Sequence, residues 1–185
     1  LTRIYSNAFN GCTNLSGTAE FSVTTTASSD GAFSNTKVST ADFSNSTATD
    51  LGNLFKNCAS LTKIVFPECL TSVGHYITQN AQALQEIYFR GDKPTGISTY
   101  SPFSYTNYQA RIYVDMTKDG WAGAKDSDAN WTEPVDATAM EKYTAFFGEN
   151  APEPVAVWSI NNKPAFVMNW RNPFPKANGT CILMR

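Results

Sequence analysis

Apolar residues recur at a nearly fixed interval through the first half of the chain. The clearest copy of the pattern places apolar side chains at Cys58, Leu61, Ile64 and Phe66. The pattern begins again at Ala81, 23 positions after Cys58. Two weaker copies precede these, with apolar residues at Val38, Ala41 and Phe43, and at Cys12, Leu15, Ala19 and Phe21. The alternating end of each copy predicts a short strand, and the polar remainder predicts turns.

A fixed period in the twenties is typical of a leucine-rich-repeat solenoid. Residues 1–92 contain about four such repeats, which we call coils. One coil cannot bury its own apolar side, so stacked neighbours must form one continuous core. We therefore predict consecutive parallel strands at 64–66 and 87–89. Pro67 should end the first of them, because proline gives no ladder hydrogen bond.

Individual slots of the repeat carry further predictions. Cys12 and Cys58 occupy a slot that Ala81 fills in another copy, which predicts compact buried thiols rather than reactive ones. Phe9 and Leu15 should point inward. Residues 35–50 should pack least well, and residues 23–34 should form a polar turn or a strand. Leu51-Gly52 and Val73-Gly74 should be short strands that end in glycine turns.

The pattern stops near residue 92, and residues 93–185 are predicted to form a small α+β C-terminal cap or domain. Residues 110–114 alternate as a strand, and the cap should extend to about residue 131. A helix at 138–147 is predicted from a capping box at Thr138 and Glu141 and from a stop at Gly148. A strand hairpin at 155–170 and a last strand at 181–184 follow.

Composition narrows the class of function. The 185 residues are 42% hydrophobic, carry only 16% charged residues and have a formal net charge of -2. This charge argues against a nucleic-acid partner, which requires a basic face. No stretch is long and apolar enough to span a membrane. Because the chain begins at Leu1, inside a repeat, we expect missing repeats upstream and an exposed apolar edge at this end.

The repeat resembles the BspA-like leucine-rich repeats of bacterial surface proteins. The resemblance rests on Ala8-Phe9-x-x-Cys12-x-x-Leu15 and on Cys58-x-x-Leu61-x-x-Ile64-x-Phe66-Pro67, and it extends to about residue 131. It implies a secreted or surface-anchored bacterial protein with a role in adhesion or protein recognition. It brings no catalytic residues with it, and residues 132–185 match no family that we recognise.

Candidate chemical sites are few. His75 is the only histidine and is predicted to lie in a surface turn. Residues 126–130 begin like a calcium loop, but Trp131 and Ala137 stand where that motif requires Gly and Glu. Three carboxylates of the second half do not suggest a glycosidase pair: Glu141, Glu149 and Glu153. Cys69 and Cys181 cannot be paired from the sequence. We predict no catalytic residue, no metal site and no cofactor.

Aromatic residues are the remaining candidates for binding. Aromatic platforms bind sugars and also anchor protein interfaces. The candidate ligand-binding residues are Tyr100, Tyr105, Tyr108 and Trp121. The preferred interpretation is a non-enzymatic recognition protein, outside the cell or on its surface, that binds a protein partner or a host surface glycan. The alternatives are a carbohydrate-binding module that uses these aromatics and a structural spacer for a binding domain elsewhere.

Overall fold

A computed structural model of the chain describes residues 3–26, 31–97, 110–121, 135–160 and 163–169. Within these ranges the chain is a parallel solenoid of about four turns with one short helix, which confirms the predicted leucine-rich-repeat solenoid followed by a small C-terminal region. The predicted strand at 181–184 lies outside the described residues.

Twelve strands and one helix make up the described fold. In chain order these elements are β1 Arg3–Ile4, β2 Ser16–Glu20, β3 Thr25–Thr26, β4 Lys37–Asp42, β5 Asp50–Leu51, β6 Lys63–Val65, β7 Ser72–Val73, β8 Glu86–Phe89, β9 Gly96–Ile97, β10 Arg111–Val114, α1 Ala137–Phe147, β11 Ala156–Ile160 and β12 Lys163–Asn169. The main sheet has seven strands in the order β11-β12-β10-β8-β6-β4-β2, and two small parallel sheets pair β1 with β3 and β5 with β7 and β9.

The repeat period sets the register of the main sheet. Ala41, Ile64, Ile87 and Ile112 are partners on adjacent parallel strands, and all four are buried in one core. Pro67 lies beyond the end of β6, as predicted. The weak copy at 35–50 does not pack poorly, so that prediction is wrong. It forms the six-residue strand β4, because small and aromatic side chains there fill the core as completely as the leucines of other copies do.

Phenylalanines form two columns along the stack. Phe21 and Phe43 are stacked with ring centroids 4.2 Å apart. Phe9 and Phe33 are stacked at 4.9 Å, and Phe55 follows Phe33 at 5.5 Å. Rings at the same repeat position therefore meet face to face or with a tilt, because the coils are related by a near translation.

The first coil has no described neighbour on its outer side, and this corrects two predictions. Phe9 was expected to point inward, but its side chain is 40% exposed although one face packs on Phe33. Cys12 was expected to be buried and is exposed, whereas Cys58, two coils further along, is buried as predicted. Leu15 is half-buried against the core. The missing neighbour exposes Phe9 and Cys12, although Phe21 of the same coil is buried.

Asparagine residues hold one turn of the coil in the left-handed backbone region. Asn35, Asn57 and Asn80 have φ values of 60°, 59° and 62°, and Gly11 has 74° at the corresponding place of the first coil. Asparagine tolerates this region better than most residues with a side chain. Their side chains form a ladder, in which each Nδ2 donates to an Oδ1 of the preceding coil, from Asn80 through Asn57 and Asn35 to Asn10.

Two glycines permit a close approach of neighbouring coils. A Cβ built on Gly74 would lie 3.0 Å from Cα of Gly52, and one built on Gly52 would lie 3.0 Å from Cα of Gly74. The strands β5 and β7 do end at these glycines, as predicted. Neither glycine has a positive φ. The reason for glycine here is therefore space between coils rather than backbone conformation.

The C-terminal hairpin continues the main sheet beyond the repeats. β12 runs parallel to β10, with Ile112 opposite Val167, and β11 pairs with β12 in the antiparallel direction expected of the hairpin. The division at residue 92 stays a prediction about domains, although the sheet itself runs across it. Trp121 also joins the core of the repeats, and its Nε1 donates to the carbonyl oxygen of Gly91 at 2.9 Å.

Helix α1 begins one residue before its predicted start and uses a different cap. Asp136 is the N-cap, and its carboxylate accepts from the backbone N–H of Ala139 at 2.7 Å. The predicted capping box at Thr138 and Glu141 is therefore wrong, because an aspartate two positions earlier already caps the helix. Gly148 ends the helix as predicted, with a φ of 88°.

Candidate functional site

The outer face of the main sheet carries two rows of side chains that point away from the solenoid core. In the first row Lys63, Glu86, Arg111 and Phe166 stand opposite one another on adjacent strands. The second row, two residues further along each strand, consists of Val65, Tyr88, Tyr113 and Met168. Residues of neighbouring strands at the same register are in contact distance, so each row can act as one surface.

Two tyrosines at the centre of the second row are stacked on each other. The rings of Tyr88 and Tyr113 are 4.4 Å apart at the centroids and nearly parallel, with an interplanar angle of 6°. The Lys63 ammonium lies 4.6 Å from the centroid of Tyr88. Together with Val65 the tyrosine pair forms a small apolar cluster, separate from the solenoid core. Each ring thus shares a face with another side chain, and the surface presents ring edges rather than open faces.

The carboxylate of Glu86 is held from two sides. Arg111 Nη2 donates to Oε1 at 3.3 Å, and the Tyr88 hydroxyl donates to Oε2 at 3.2 Å. The charge of the only carboxylate at this register is therefore matched by the guanidinium of the next strand. The Nε of Arg111 is also buried and has no acceptor among the described residues. The ion pair with Glu86 therefore leaves at least one donor of the Arg111 guanidinium unused.

Both tyrosines stay protonated over a wider pH range than a free tyrosine. Burial, and then the negative charge of Glu86, raise the pKa of Tyr88. Burial also raises the pKa of Tyr113, against an opposing effect of the Arg111 charge. The two hydroxyl groups are therefore neutral at neutral pH, and that of Tyr88 is already used by Glu86.

Helix α1 covers only one end of this outer face. Tyr143 and Phe147 pack with Phe166 and Met168 in a second apolar cluster above β10, β12 and β11. Among the described residues no other helix or strand lies above β2, β4, β6 and β8. On the outer face of these strands Thr18 and Glu20 are exposed and Thr40, Asp42, Lys63 and Glu86 are half-buried, whereas Val65 and Tyr88 are buried.

The edge of the helix joins the row of sheet residues through Arg111. The guanidinium carbon of Arg111 lies 4.6 Å from the centroid of Phe147 and 5.7 Å from that of Tyr113. Phe146 meets Phe147 edge to face at 4.8 Å, and its side chain is 45% exposed. An uninterrupted line of aromatic and cationic groups thus leads from the open sheet to the end of the helix.

Of the four aromatic residues predicted to bind a ligand, only Trp121 lies among the described residues. Trp121 is only 2% exposed, with its ring 5.2 Å from that of Phe89, so it offers no free face to a ligand. Tyr100, Tyr105 and Tyr108 lie outside the described residues, and a ligand site there stays a prediction. The exposed His75 lies in a turn, as expected.

The structure does not bring the other candidate catalytic or metal-binding residues together among the described residues. Glu141, Glu149 and Glu153 are exposed. The calcium-like segment 126–130 lies outside the described residues. In the ranges that the structure covers, no group of three or more histidine, cysteine, aspartate or glutamate side chains could hold a metal ion. No helix there is long and apolar enough to cross a membrane.

Sequence reasoning did not single out the row that contains Lys63, Glu86, Arg111, Tyr88 and Tyr113. A usable signal was present, because Lys63 and Glu86 precede Ile64 and Ile87 of the two clearest copies and must share a face. The repeat period could not predict the position of Arg111. Its strand follows β8 after 25 rather than 23 positions and lies outside the clear repeats.

Comparison with known proteins agrees with this architecture. None of the curated proteins and none of the solved structures compared with the chain matches it. The family model described as BspA type leucine rich repeat region matches residues 1–109 in six copies. The match covers more than half of the chain and includes all the coils described above. The chain therefore belongs to the BspA type leucine-rich-repeat family.

Proposed function

We propose that this protein is a non-enzymatic recognition protein, acting outside a bacterial cell or on its surface, that binds a protein partner through the outer face of its main sheet. The repeat family supports a scaffold for protein binding. The observation that carries the proposal is the stretch of outer face between β2 and β8 over which no described helix or strand lies, next to a tyrosine pair and two cations. Tyrosine and arginine are enriched among residues that dominate binding energy at protein interfaces.

The arrangement favours binding over catalysis. Catalysis by a nucleophile or by acid–base groups needs a base within hydrogen-bond reach of a reacting atom, usually with a perturbed pKa near the working pH. On the outer face the perturbed groups are tyrosines, and their pKa values move away from neutrality. The carboxylate of Glu86 is occupied by Tyr88 and Arg111. Leucine-rich-repeat solenoids are, moreover, typically binding scaffolds.

The proposal is tested by binding of the purified chain to immobilised collagen, fibronectin, fibrinogen and laminin, measured by surface plasmon resonance. Thr40→Arg places a bulky charge on the outer face and should weaken binding about tenfold or more. Lys56→Glu changes an exposed turn residue away from this face and serves as the control. Circular dichroism and thermal melting should show that both variants fold. Equal loss with both variants, or none with Thr40→Arg, would contradict binding through the sheet.

A glycan partner is the second candidate, and it rests on the aromatic segment around Tyr100, Tyr105 and Tyr108. Tyr105→Ala is the informative variant for a glycan array. Trp121→Ala would remove a buried ring and a hydrogen bond to Gly91, so any loss of binding would be confounded by loss of stability. Absence of binding to every matrix protein and every glycan would favour the third interpretation, a spacer for a binding domain elsewhere.

A further inference from the structure

We infer that the turn at residues 75–80, together with the asparagine ladder that reaches it, is a binding site for an uncharged carbohydrate. We call it the turn-face site and define it by Tyr76, Asn80 and Asn57. The inference goes beyond the proposed function, since these residues lie in turns of the coils and not on the strands of the main sheet.

Tyr76 has a left-handed backbone that a tyrosine adopts only under strain. Its φ is 47°. The residues at the corresponding place of the three preceding coils have φ values of 57°, 67° and 51°, and they are Asn7, Gly31 and Asn53. Glycine and asparagine adopt this region readily, whereas a bulky side chain there is an outlier. The fourth coil therefore carries a tyrosine where the other coils carry residues better suited to the turn.

The preceding coil enforces this conformation. The backbone N–H of Asn53 donates to the carbonyl oxygen of His75 at 2.9 Å, and that of Phe55 donates to the carbonyl oxygen of Ile77 at 2.9 Å. The peptide groups on both sides of Tyr76 are thus fixed by backbone contacts, whatever side chain it carries. Strain of this kind persists only where the surrounding structure over-determines it, and it clusters at functional sites.

The side chain of Tyr76 gives the fold nothing that offsets this strain. It is 37% exposed and belongs to none of the apolar clusters of the described residues. Its one ring contact with a described residue is with His75, at a centroid distance of 6.2 Å and a tilt of 41°, so His75 does not lie flat on the ring. The ring is therefore presented to solvent, and we assign its use to a ligand.

The asparagines of the ladder offer hydrogen bonds beside this ring. Asn80 is exposed, lies in the same turn as Tyr76, and donates from Nδ2 to Oδ1 of Asn57 at 2.7 Å. An amide side chain has two N–H donors and two acceptor lone pairs. The ladder uses one donor of each amide, and Oδ1 of Asn80 accepts from no described group. The turn thus combines an exposed ring with an amide that can still donate and accept.

This combination suits a sugar better than an ion or an apolar peptide. The C–H face of a pyranose packs on an aromatic ring, and its hydroxyl groups exchange hydrogen bonds with amides. The turns 31–36, 53–58 and 75–80 contain one charged side chain at neutral pH, Lys56, so an acidic sugar would gain little there. Tyr76 is the one exposed large apolar side chain of these turns, which is too little for an apolar peptide.

The test is isothermal titration calorimetry of the native chain with uncharged and anionic hexasaccharides. The uncharged probes are cellohexaose, laminarihexaose, maltohexaose and mannohexaose, and the anionic probe is hexagalacturonate. At least one uncharged probe should bind, and more tightly than hexagalacturonate. Tyr76→Asn should raise the Kd of that probe about tenfold or more. The same substitution should raise the melting temperature by about 2–4 °C, because asparagine relieves the backbone strain.

Tyr5→Asn is the matched control. Tyr5 is also an exposed tyrosine, but it lies in the first coil and does not have a left-handed backbone. Its substitution should leave the Kd and the melting temperature nearly unchanged. Asn80→Asp is a second variant that keeps a residue tolerant of the left-handed region but removes the amide donor, so it should also raise the Kd.

Absence of binding to every uncharged probe, an unchanged Kd in Tyr76→Asn, or an equal loss in Tyr5→Asn would overturn the inference. A lower melting temperature of Tyr76→Asn would show that the ring stabilises the fold, and this would overturn the argument from strain. Tighter binding of hexagalacturonate would overturn the uncharged ligand class. Loss of matrix-protein binding in Tyr76→Asn, without binding of any sugar, would overturn the inference in favour of a protein ligand.

Discussion

The side-chain amide of Asn80 donates to the Oδ1 atom of Asn57 at 2.7 Å, across the gap between two neighbouring coils. Both residues have left-handed backbone conformations. The same two asparagines begin the two clearest copies of the repeat, directly before Cys58 and Ala81. One residue type therefore provides the turn conformation and the link between coils.

Substitution of Asn57 should separate these two contributions. Asn57→Ala should lower the free energy of unfolding by about 1–2 kcal/mol, because alanine in the left-handed region is strained and cannot join the ladder. Asn57→Gly keeps the conformation accessible and loses only the ladder contacts to Asn35 and Asn80, so its cost should be smaller. Urea unfolding monitored by circular dichroism measures both. An equal cost for the two variants would mean that conformation contributes nothing.

The contact between Gly52 and Gly74 should not accommodate a methyl group. Gly74→Ala is expected to cost about 1–3 kcal/mol through overpacking, because the neighbouring atoms belong to the backbone and cannot rotate away. Gly91→Ala should cost more, since its Cβ would overlap the carbonyl oxygen of Glu68. Exposed Gly17 has free space but a φ of 79°, so Gly17→Ala is the control for strain without a clash. Thermal melting ranks the three variants, and a stability of Gly74→Ala equal to that of the native chain would contradict the close contact.

Ionisation of the tyrosine pair should destabilise the fold at alkaline pH. The folded pKa of Tyr88 is raised above the unfolded value near 10, so its stabilising contribution is present below about pH 10 and is lost as the pH rises above that value. Tyr113 acts in the same direction. The Tyr88→Phe variant should lose stability less steeply above pH 10. Urea midpoints between about pH 8 and pH 11 measure this, and identical slopes for both proteins would contradict the assignment.

The two cysteines of the same repeat slot should differ in reactivity. Cys12 is exposed, whereas Cys58 is buried, donates to the carbonyl oxygen of Phe33 and has a pKa raised by burial. In a background with Cys69→Ser and Cys181→Ser, a thiol reagent such as Ellman's reagent should modify one thiol rapidly and the other only on unfolding. Addition of Cys12→Ser should remove the rapid phase. Rapid reaction that persists in this variant would show that Cys58 is accessible.

The architecture of the repeats could be predicted from the sequence because stacking of the coils requires apolar residues at a fixed period. A coil that must stack on its neighbours needs an apolar side chain at each equivalent position, and Ile64, Ile87 and Ile112 became register partners for this reason. The same reasoning failed at Cys12 and Phe9, since a slot does not specify whether a neighbouring coil covers it. It also underestimated Phe43, whose burial depends on the ring of Phe21 in another coil.

The sequence by itself determined a stack of coils, strands that end before Gly52 and Gly74, and a helix followed by a hairpin after the repeats. Only the tertiary structure decided that the hairpin extends the sheet of the repeats through the pairing of β12 with β10. It also brought Arg111 between Glu86 and Phe147. The physical reason is that periodicity reports contacts between equivalent positions, whereas this site is formed by residues from a repeat strand, a following strand and a helix, which share no period.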